Sequence, residues 1–339
     1  MTIAIKPLEA ALEHAGIAWH HLEPMADTGL AHDHVWLRDD GVDDRVIRLP
    51  KPGRLDSTPE ARLAHQAACY RRAAESGHAP HLHAVLPPDD HLPQGGLVVD
   101  AVLGRPAALP DDLPRIAAAL AALHNLALPA PEHRPPLPAP ANPWRALYRE
   151  IAEQSLFVDT AQLPDAVSRR IHRAFKALPT KLYYATPCLI SLAAHPSNFL
   201  IDERGRALFL NLDSCRYGLA GFDLAHASLA TSTPWDTASY AVLTPEDVAD
   251  FYQRWQRKMS ATQGENIPSV ETLLACRRAM WLRSLTWCAK WRTQRLQARG
   301  SPHDPAQGED VRDRVEHYLS LPAIDAAENE LAYLDDVLY

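Results

Sequence analysis

The stretch SLAAHPSNFLID at residues 191–202 is the most informative part of this sequence. Two short segments follow it, FLNLD at 209–213 and YGLAGFDLA at 217–225. Mostly apolar segments at 199–202 and 207–212 flank the turn-forming letters ERGR, a pattern that predicts a β-hairpin. Because the neighbouring segments have helical spacing, we expect this hairpin to lie between helices and to face a cleft between two lobes.

Short strands precede the hairpin and helices follow it. This order predicts an α+β protein with a small β-rich N-terminal lobe at residues 1–104 and a larger, mostly helical C-terminal lobe at residues 105–339. A proline-dense connector at residues 129–143 has too few backbone donors for a helix or an interior strand. The predicted strands and helices are Val35–Arg38, Arg45–Leu49, Pro59–Glu75, Gly95–Leu103, Leu113–Leu126, Trp144–Phe157, Asp165–Leu178 and Val270–Ala298.

The composition is that of an ordinary globular protein. The chain has 339 residues, 47% of them hydrophobic, and its 34 Lys+Arg against 42 Asp+Glu give a net charge of −8, which disfavours nucleic acid and anionic membranes as partners. No export signal begins the sequence, so we expect a cytoplasmic protein. Five scattered cysteines fit free thiols in a reducing compartment.

The central motifs resemble those of the aminoglycoside phosphotransferase and choline kinase family, which has a protein-kinase-like fold. Its catalytic stretch reads HGDxHPxN, followed by a strand pair, IDWD and a YDLA-like motif. Here His195, Pro196, Asn198, Asp213 and the FDLA at 222–225 fall in the same register. The resemblance implies a bilobal kinase-like fold, ATP and Mg²⁺ as cofactors, and transfer of phosphate to a small-molecule hydroxyl.

The resemblance also implies where a nucleotide would bind. Gly29 lies in a segment similar to the nucleotide loop of the family, although the loop here has a single glycine. Arg48 takes the position of the third-strand Lys or Arg, and either Glu60 or Gln66 would be its partner on the next helix. The strand that follows resembles the hinge that hydrogen-bonds adenine, with Val99 to Val102 nearest the base.

Two residues that phosphoryl transfer needs are replaced. The reaction requires a carboxylate to accept the hydroxyl proton and carboxylates to hold metal ions. The base position is occupied by Ala193, which cannot accept a proton. The first acidic position of IDWD is occupied by Asn211, a neutral amide and a poor ligand for Mg²⁺. Asn198 and Asp213 remain as metal ligands, so the motif predicts a reduced metal site.

Several of these residues also have a structural interpretation. In the family, the histidine matched by His195 orients the loop backbone as well as touching substrate. Asn198 could cap the turn before the hairpin, and Asp213 could be a solvated carboxylate at a strand end. The resemblance implies that Asp223 holds the backbone of the catalytic loop.

Histidines at 32 and 34, and again at 81 and 83, have the spacing that places two imidazoles on one face of a strand. Such a pair is a candidate for a transition-metal site. A third ligand is not evident in the sequence. We therefore favour surface or loop histidines over a metal site.

The replaced residues predict a pseudokinase or a very weak phosphotransferase. Such a protein would bind a nucleotide, a small hydroxylated or cationic ligand, or a protein partner. One alternative is an active ATP-dependent small-molecule kinase in which Asp213 and Asn198 hold Mg²⁺. Another is a partner-binding scaffold with a vestigial cleft.

Overall fold

The computed structural model describes residues 5–26, 31–38, 44–51, 57–182, 186–234, 240–264, 267–298 and 309–338. Strands dominate the N-terminal part and helices dominate the C-terminal part, which confirms the predicted α+β architecture. Among the helices within these residues, none is long and apolar enough to cross a membrane.

The N-terminal part is built on a five-stranded antiparallel sheet. Because side chains alternate along a strand, Val35 and Ile47 lie on one buried face, where Leu8 and Leu12 of the first helix cover them. The elements are α1 (Ile5–His14), β1 (His21–Pro24), β2 (His32–Arg38), β3 (Arg45–Pro50), α2 (Pro59–Ala74), β4 (Leu82–Leu86) and β5 (Gly96–Asp100), and the strand order is β1-β2-β3-β5-β4.

Strand β5 is buried on both faces, which explains its continuous apolar run. Val98 belongs to the cluster under α1, whereas Leu97 and Val99 belong to the main core that includes residues of α2. Helix α2 begins where Thr58 accepts a hydrogen bond from the backbone N–H of Ala61 (3.3 Å).

The chain then crosses to the hairpin. The strand predicted to reach Leu103 ends at Asp100, because residues 104–106 leave the sheet as β6 (Gly104–Pro106) and pair with β8 (Phe199–Asp202). A Cβ on Gly104 would lie 2.5 Å from the carbonyl oxygen of Ile201, so only glycine allows this close pairing. The predicted hairpin is confirmed, with β9 (Ala207–Phe209) as the partner of β8.

The C-terminal part consists of helices packed around the hairpin. Helix α3 (Leu113–His124) packs on α7 (Pro245–Gln263) in the buried core that contains Trp255. The long α8 (Val270–Ala298) packs on α4 (Pro143–Ser155) and α6 (Ala220–Ser228) in the buried core that contains Leu282. The elements are α3 (Leu113–His124), α4 (Pro143–Ser155), α5 (Asp165–Ala177), β7 (Cys188–Ile190), β10 (Arg216–Gly218), α6 (Ala220–Ser228), α7 (Pro245–Gln263), α8 (Val270–Ala298), α9 (Glu309–Tyr318) and α10 (Leu321–Leu338).

The proline-dense connector lies against the hairpin side of the C-terminal part. Apart from one 3₁₀ turn at Pro131–His133 it forms no helix or strand, which agrees with its proline content. Leu137 is buried, and the carbonyl of Pro138 accepts a hydrogen bond from the backbone N–H of Tyr217 (2.9 Å). The predicted lobe boundary after residue 104 stays a prediction.

Candidate functional site

The loop before the hairpin is held by one buried carboxylate, that of Asp223 on α6. Its oxygens accept hydrogen bonds from the backbone N–H groups of Ser191 (2.7 Å) and Leu192 (2.8 Å) and from the Ser191 hydroxyl (3.1 Å). His124 lies 3.4 Å away, and its Nδ1 accepts from Trp255 (3.0 Å), which places the imidazole proton on Nε2, toward Asp223. The core therefore fixes the loop backbone, as expected for Asp223.

The backbone of this loop is strained at Leu192, whose φ is +50°. A non-glycine residue in this left-handed region costs about 1–2 kcal/mol. The motif that the loop resembles has glycine at this position. Leu192 therefore adopts the left-handed backbone conformation that favours glycine. The side chain of Leu192 packs against a hydrophobic cluster of the C-terminal part.

Asn198, the predicted metal ligand, is hydrogen-bonded directly to Ala193, which occupies the predicted base position. The side-chain amide of Asn198 donates a hydrogen bond to the carbonyl oxygen of Ala193 (2.7 Å). This bond spans the turn and supports the structural interpretation of Asn198. The methyl group of Ala193 is partly buried against the main core. The position thus has the shape of a catalytic loop without a group that accepts a proton.

His195 caps the 3₁₀ turn that precedes β8. Its Nδ1 accepts from the backbone N–H of Ser197 (3.2 Å) and lies 2.7 Å from the Ser197 hydroxyl. The ring of His226 packs edge-on at 6.3 Å between centroids. These contacts give His195 a positioning role in the loop.

Asp213 is bound by cationic and imidazole groups from the N-terminal sheet. Nη2 of Arg48 lies 3.3 Å and Nε2 of His32 lies 3.4 Å from the same oxygen, Oδ2. Arg48 also donates to the carbonyl of Leu210 (3.2 Å) and is only 7% exposed. Burial lowers the pKa of His32, with Asp213 opposing and Arg48 adding to the shift. Direct contacts therefore join the N-terminal sheet to the carboxylate that the motif retains.

Helix α2 adds two more contacts to this segment and one to His32. The hydroxyl of Tyr70 donates to the carbonyl of Leu210 (2.8 Å), Nε2 of His65 lies 3.0 Å from the carbonyl oxygen of Asp213, and the amide of Gln66 lies 3.1 Å from His32. The whole segment from Leu210 to Asp213 is thus tied to the N-terminal part.

Neither Glu60 nor Gln66 contacts Arg48 among the described hydrogen bonds and ion pairs. Glu60 is exposed in the first turn of α2, where hydrogen bonds from its own backbone N–H and from Thr58 lower its pKa. Gln66 reaches the cluster through His32 instead of Arg48. The guanidinium of Arg48 pairs with Asp213, because Asp213 is the carboxylate that approaches it in the cleft.

A histidine and a thiol occupy consecutive turns of α2 behind Asp213. Sγ of Cys69 lies 3.4 Å from Nε2 of His65. A hydrogen bond from Cys215 and the contact with His65 lower the pKa of Cys69 to about 6 despite burial, and the Cys69 contact raises the pKa of His65 to about 9. The contact therefore favours the thiolate of Cys69 and the imidazolium of His65 over their neutral forms.

The structure describes only some of the residues that are predicted to bind a nucleotide. Gly29 lies outside the described residues. Val99 is buried in β5, and its side chain packs in the main core. In the connection that follows, the backbone N–H of Ala101 donates to Asp44 (3.1 Å), while in the described part of the chain no hydrogen bond engages the peptide group of Val102. The role of Val102 at a hinge stays a prediction, and its peptide group has no hydrogen-bond partner among the described residues.

These residues do not fit a Mg²⁺ site. Asn211 is exposed, and Asn198, which donates its amide N–H to Ala193, offers only a neutral amide oxygen. Oδ1 of Asp213 is buried and has no hydrogen-bond partner among the described residues, so it offers one oxygen ligand. Mg²⁺ requires near-octahedral oxygen coordination, and the guanidinium of Arg48 on the same carboxylate repels a divalent cation.

The histidine pairs behave differently from each other. His81 and His83 both contact the carboxylate of Asp100, at 2.8 and 2.5 Å, whereas His32 is buried in the cleft and is not the surface histidine expected. Within the residues that the structure describes, no group of three or more His, Cys, Asp or Glu side chains is arranged to hold a metal ion.

Sequence reasoning missed His32, His65 and Tyr70 as neighbours of Asp213. The i, i+4 spacing of His65 and Cys69, and of Gln66 and Tyr70, on a predicted helix could have shown a polar face. The approach of that face to Asp213 depends on tertiary packing, which the motif spacing does not contain.

Replacing Arg48 by methionine is expected to destabilise the protein by about 2–4 kcal/mol, because it leaves a half-buried carboxylate without its guanidinium. Arg48→Met/Asp213→Asn should cost less than the two single changes added together, since the pair is removed as a unit. Urea unfolding of the four proteins measures this coupling, and strictly additive costs would show that the ion pair is energetically silent.

Stability is expected to fall as the pH falls from about 6.5 to about 4. Burial, with His195 adding, lowers the pKa of His226 to about 4, and the Nδ1 of His226 is buried without a partner among the described residues. Between pH 6.5 and pH 4 the unfolded chain binds a proton at this histidine that the folded chain does not bind. The free energy of unfolding therefore falls by up to about 1.4 kcal/mol per pH unit.

His226→Gln should therefore flatten the decline in unfolding free energy between pH 6.5 and 5, measured by urea titration at each pH. The exposed His133 offers a matched control, because His133→Gln should leave the decline unchanged. Equal slopes for wild type and His226→Gln would contradict the assignment.

A family model and several solved structures match this chain. Residues 26–263 match the model of the phosphotransferase enzyme family. A Ralstonia eutropha protein assigned as an aminoglycoside phosphotransferase has a TM-score of 0.68 at 13% identity, with 99% of each chain covered. A choline kinase from Cryptosporidium parvum has a TM-score of 0.57 at 14% identity, covering 94% of this chain and 93% of that one.

An ADP-bound aminoglycoside phosphotransferase, APH(2'')-Ib, has a TM-score of 0.57 at 12% identity, with 94% of this chain and 97% of that chain covered. No curated protein is similar enough in sequence to count as a relative. At these identities the likeness establishes the fold alone, and it confirms the kinase-like architecture expected from the central motifs.

Proposed function

Because the chain belongs to the phosphotransferase enzyme family, we propose that it is a pseudokinase whose cleft binds a nucleotide without transferring its phosphate efficiently. The observation that carries the proposal is the contact of Arg48 and His32 with Asp213, at 3.3 and 3.4 Å. The one carboxylate retained from the two acidic positions of the second motif is used to hold the cleft together. Ala193 leaves the first motif without a base.

The features that support nucleotide binding are a hinge and a cation. The peptide group of Val102 follows β5, and the guanidinium of Arg48 is buried in the cleft with its Nε unpaired among the described residues. Arg48 can offer donors to a phosphate in place of a metal ion. The ADP-bound relative is consistent with such a ligand.

A second candidate, a slow kinase, is favoured by the buried, partnerless Oδ1 of Asp213, which could bind one cation. The two functions are separated by incubating the protein with Mg²⁺ and ATP labelled in the γ-phosphate, with choline and an aminoglycoside as acceptors. The pseudokinase should transfer label at the background rate, in wild type and in Asp213→Ala alike. Transfer by wild type that is lost in Asp213→Ala would establish the slow kinase instead.

A further inference from the structure

A basic groove lies on the C-terminal part, at the far end of the hairpin from the cleft. Its volume is about 930 Å³, within the range of small-molecule sites. Strand β8 separates the groove from Asn198 by roughly 10 Å, given about 3.3 Å per residue. The walls are the start of α3, the β8–β9 turn and the middle of α7, and the charged lining residues are Asp111, Arg115, Arg206, Asp250, Arg254, Arg257 and Lys258.

The groove carries positive charge on a chain whose net charge is −8. Five of its lining residues are cationic and two are acidic. Arg115 also pairs with Asp112, which Arg105 shares, and Arg206 pairs with Asp202. Counting these neighbours, six cations still face four carboxylates.

The ion pairs within the groove are weak competitors for a ligand. Arg254 and Arg257 share the carboxylate of Asp250, and the two arginines are 46% and 66% exposed. Exposed pairs of this kind are weak because water and salt screen them, whereas arginine binds phosphate with two parallel hydrogen bonds. In the described part of the chain Lys258 has no carboxylate within ion-pair distance, so its ammonium is available to an anion.

His78 lines the groove, and its pKa responds to the charges of the groove. Its Nδ1 lies 2.8 Å from the carbonyl oxygen of Ala207, so Nε2 is the nitrogen that titrates. Burial lowers the pKa of His78, the hydrogen bond to Ala207 opposes this, and Arg206 and Lys258 lower it further. Cations from two different elements therefore act on the same imidazole.

We propose that this groove binds a small molecule carrying several phosphate groups. A single phosphate would fill little of the volume, and the cations come from three separate elements, so a ligand with phosphates at more than one point matches the groove best. The site is separate from the interlobe cleft and does not depend on the function proposed for it.

The test is calorimetric titration with sodium tripolyphosphate in low-salt buffer. Arg257→Glu/Lys258→Glu changes two exposed residues of α7 and should weaken binding at least 10-fold. The matched control Arg169→Glu/Lys176→Glu makes the same charge change on exposed residues of α5 and should stay within about 2-fold of wild type.

A second readout is the pKa of His78, measured by NMR of its ring. This pKa should rise when tripolyphosphate offsets the charge of the nearby cations. The proposal is overturned if wild type does not bind tripolyphosphate, if both charge-reversed variants lose binding equally, or if Arg48→Met loses it while Arg257→Glu/Lys258→Glu retains it. That last result would place the anion in the cleft.

Discussion

Asp223→Ala is expected to lower the free energy of unfolding by about 3–5 kcal/mol, the largest stability effect of any single change in the site. The carboxylate is fully buried and binds the backbone N–H groups of Ser191 and Leu192. Its removal leaves both donors, and the His124 ring, without their acceptor. The left-handed backbone at Leu192 then also loses the bonds that hold it.

Urea unfolding of Asp223→Ala against Asp165→Ala provides the comparison. The side chain of Asp165 is 94% exposed at the start of α5, so its replacement should cost less than about 1 kcal/mol. A cost below about 1 kcal/mol for Asp223→Ala would mean that the loop keeps its shape without the carboxylate.

Restoring the two missing carboxylates is expected to raise ATP turnover about 100-fold or more. In Ala193→Asp/Asn211→Asp, the first change supplies a proton acceptor on a loop already held by Asp223, and the second supplies an exposed metal ligand after the hairpin. General base catalysis alone contributes typically 10²–10⁴-fold. Release of phosphate from ATP in the presence of Mg²⁺ measures the gain.

The matched control is Ala193→Asn/Asn211→Asp, which has the same shape at residue 193 but cannot accept a proton. It should stay near the wild-type rate. If the wild type already turns over ATP as fast as Ala193→Asp/Asn211→Asp, another group supplies the base and the pseudokinase proposal fails.

The hairpin and the long helices could be predicted from sequence because their signals are local. The ERGR turn fixes the pairing of β8 with β9, and helical spacing locates α2, α3 and α8. Strand β5 was predicted too long because the crossing of β6 to β8 is a tertiary event. Helix α1 and strand β4 were not predicted, since their short amphipathic patterns are weak signals.

The site was predictable only as far as its motif extends. The register placed Ala193, Asn198 and Asp213 in one region of the fold, and Asp223 under the loop. The pairing of Arg48 with Asp213, in place of a residue of α2, was not predictable from the motif. It depends on the approach of Arg48 and His32 to Asp213 in the folded protein. Such a contact joins residues more than 160 positions apart for Arg48, and no local pattern marks it.

The proposed pseudokinase is tested most directly by thermal unfolding with ATP or ADP, each with and without Mg²⁺. A ligand at 100 times its dissociation constant stabilises a protein by about 2.7 kcal/mol, which raises the unfolding temperature measurably. The pairing of Arg48 with Asp213 predicts stabilisation by nucleotide that does not depend on Mg²⁺ and is lost in Arg48→Met. Stabilisation that requires Mg²⁺ and is lost in Asp213→Asn would contradict it, because Asp213 would then hold a metal ion.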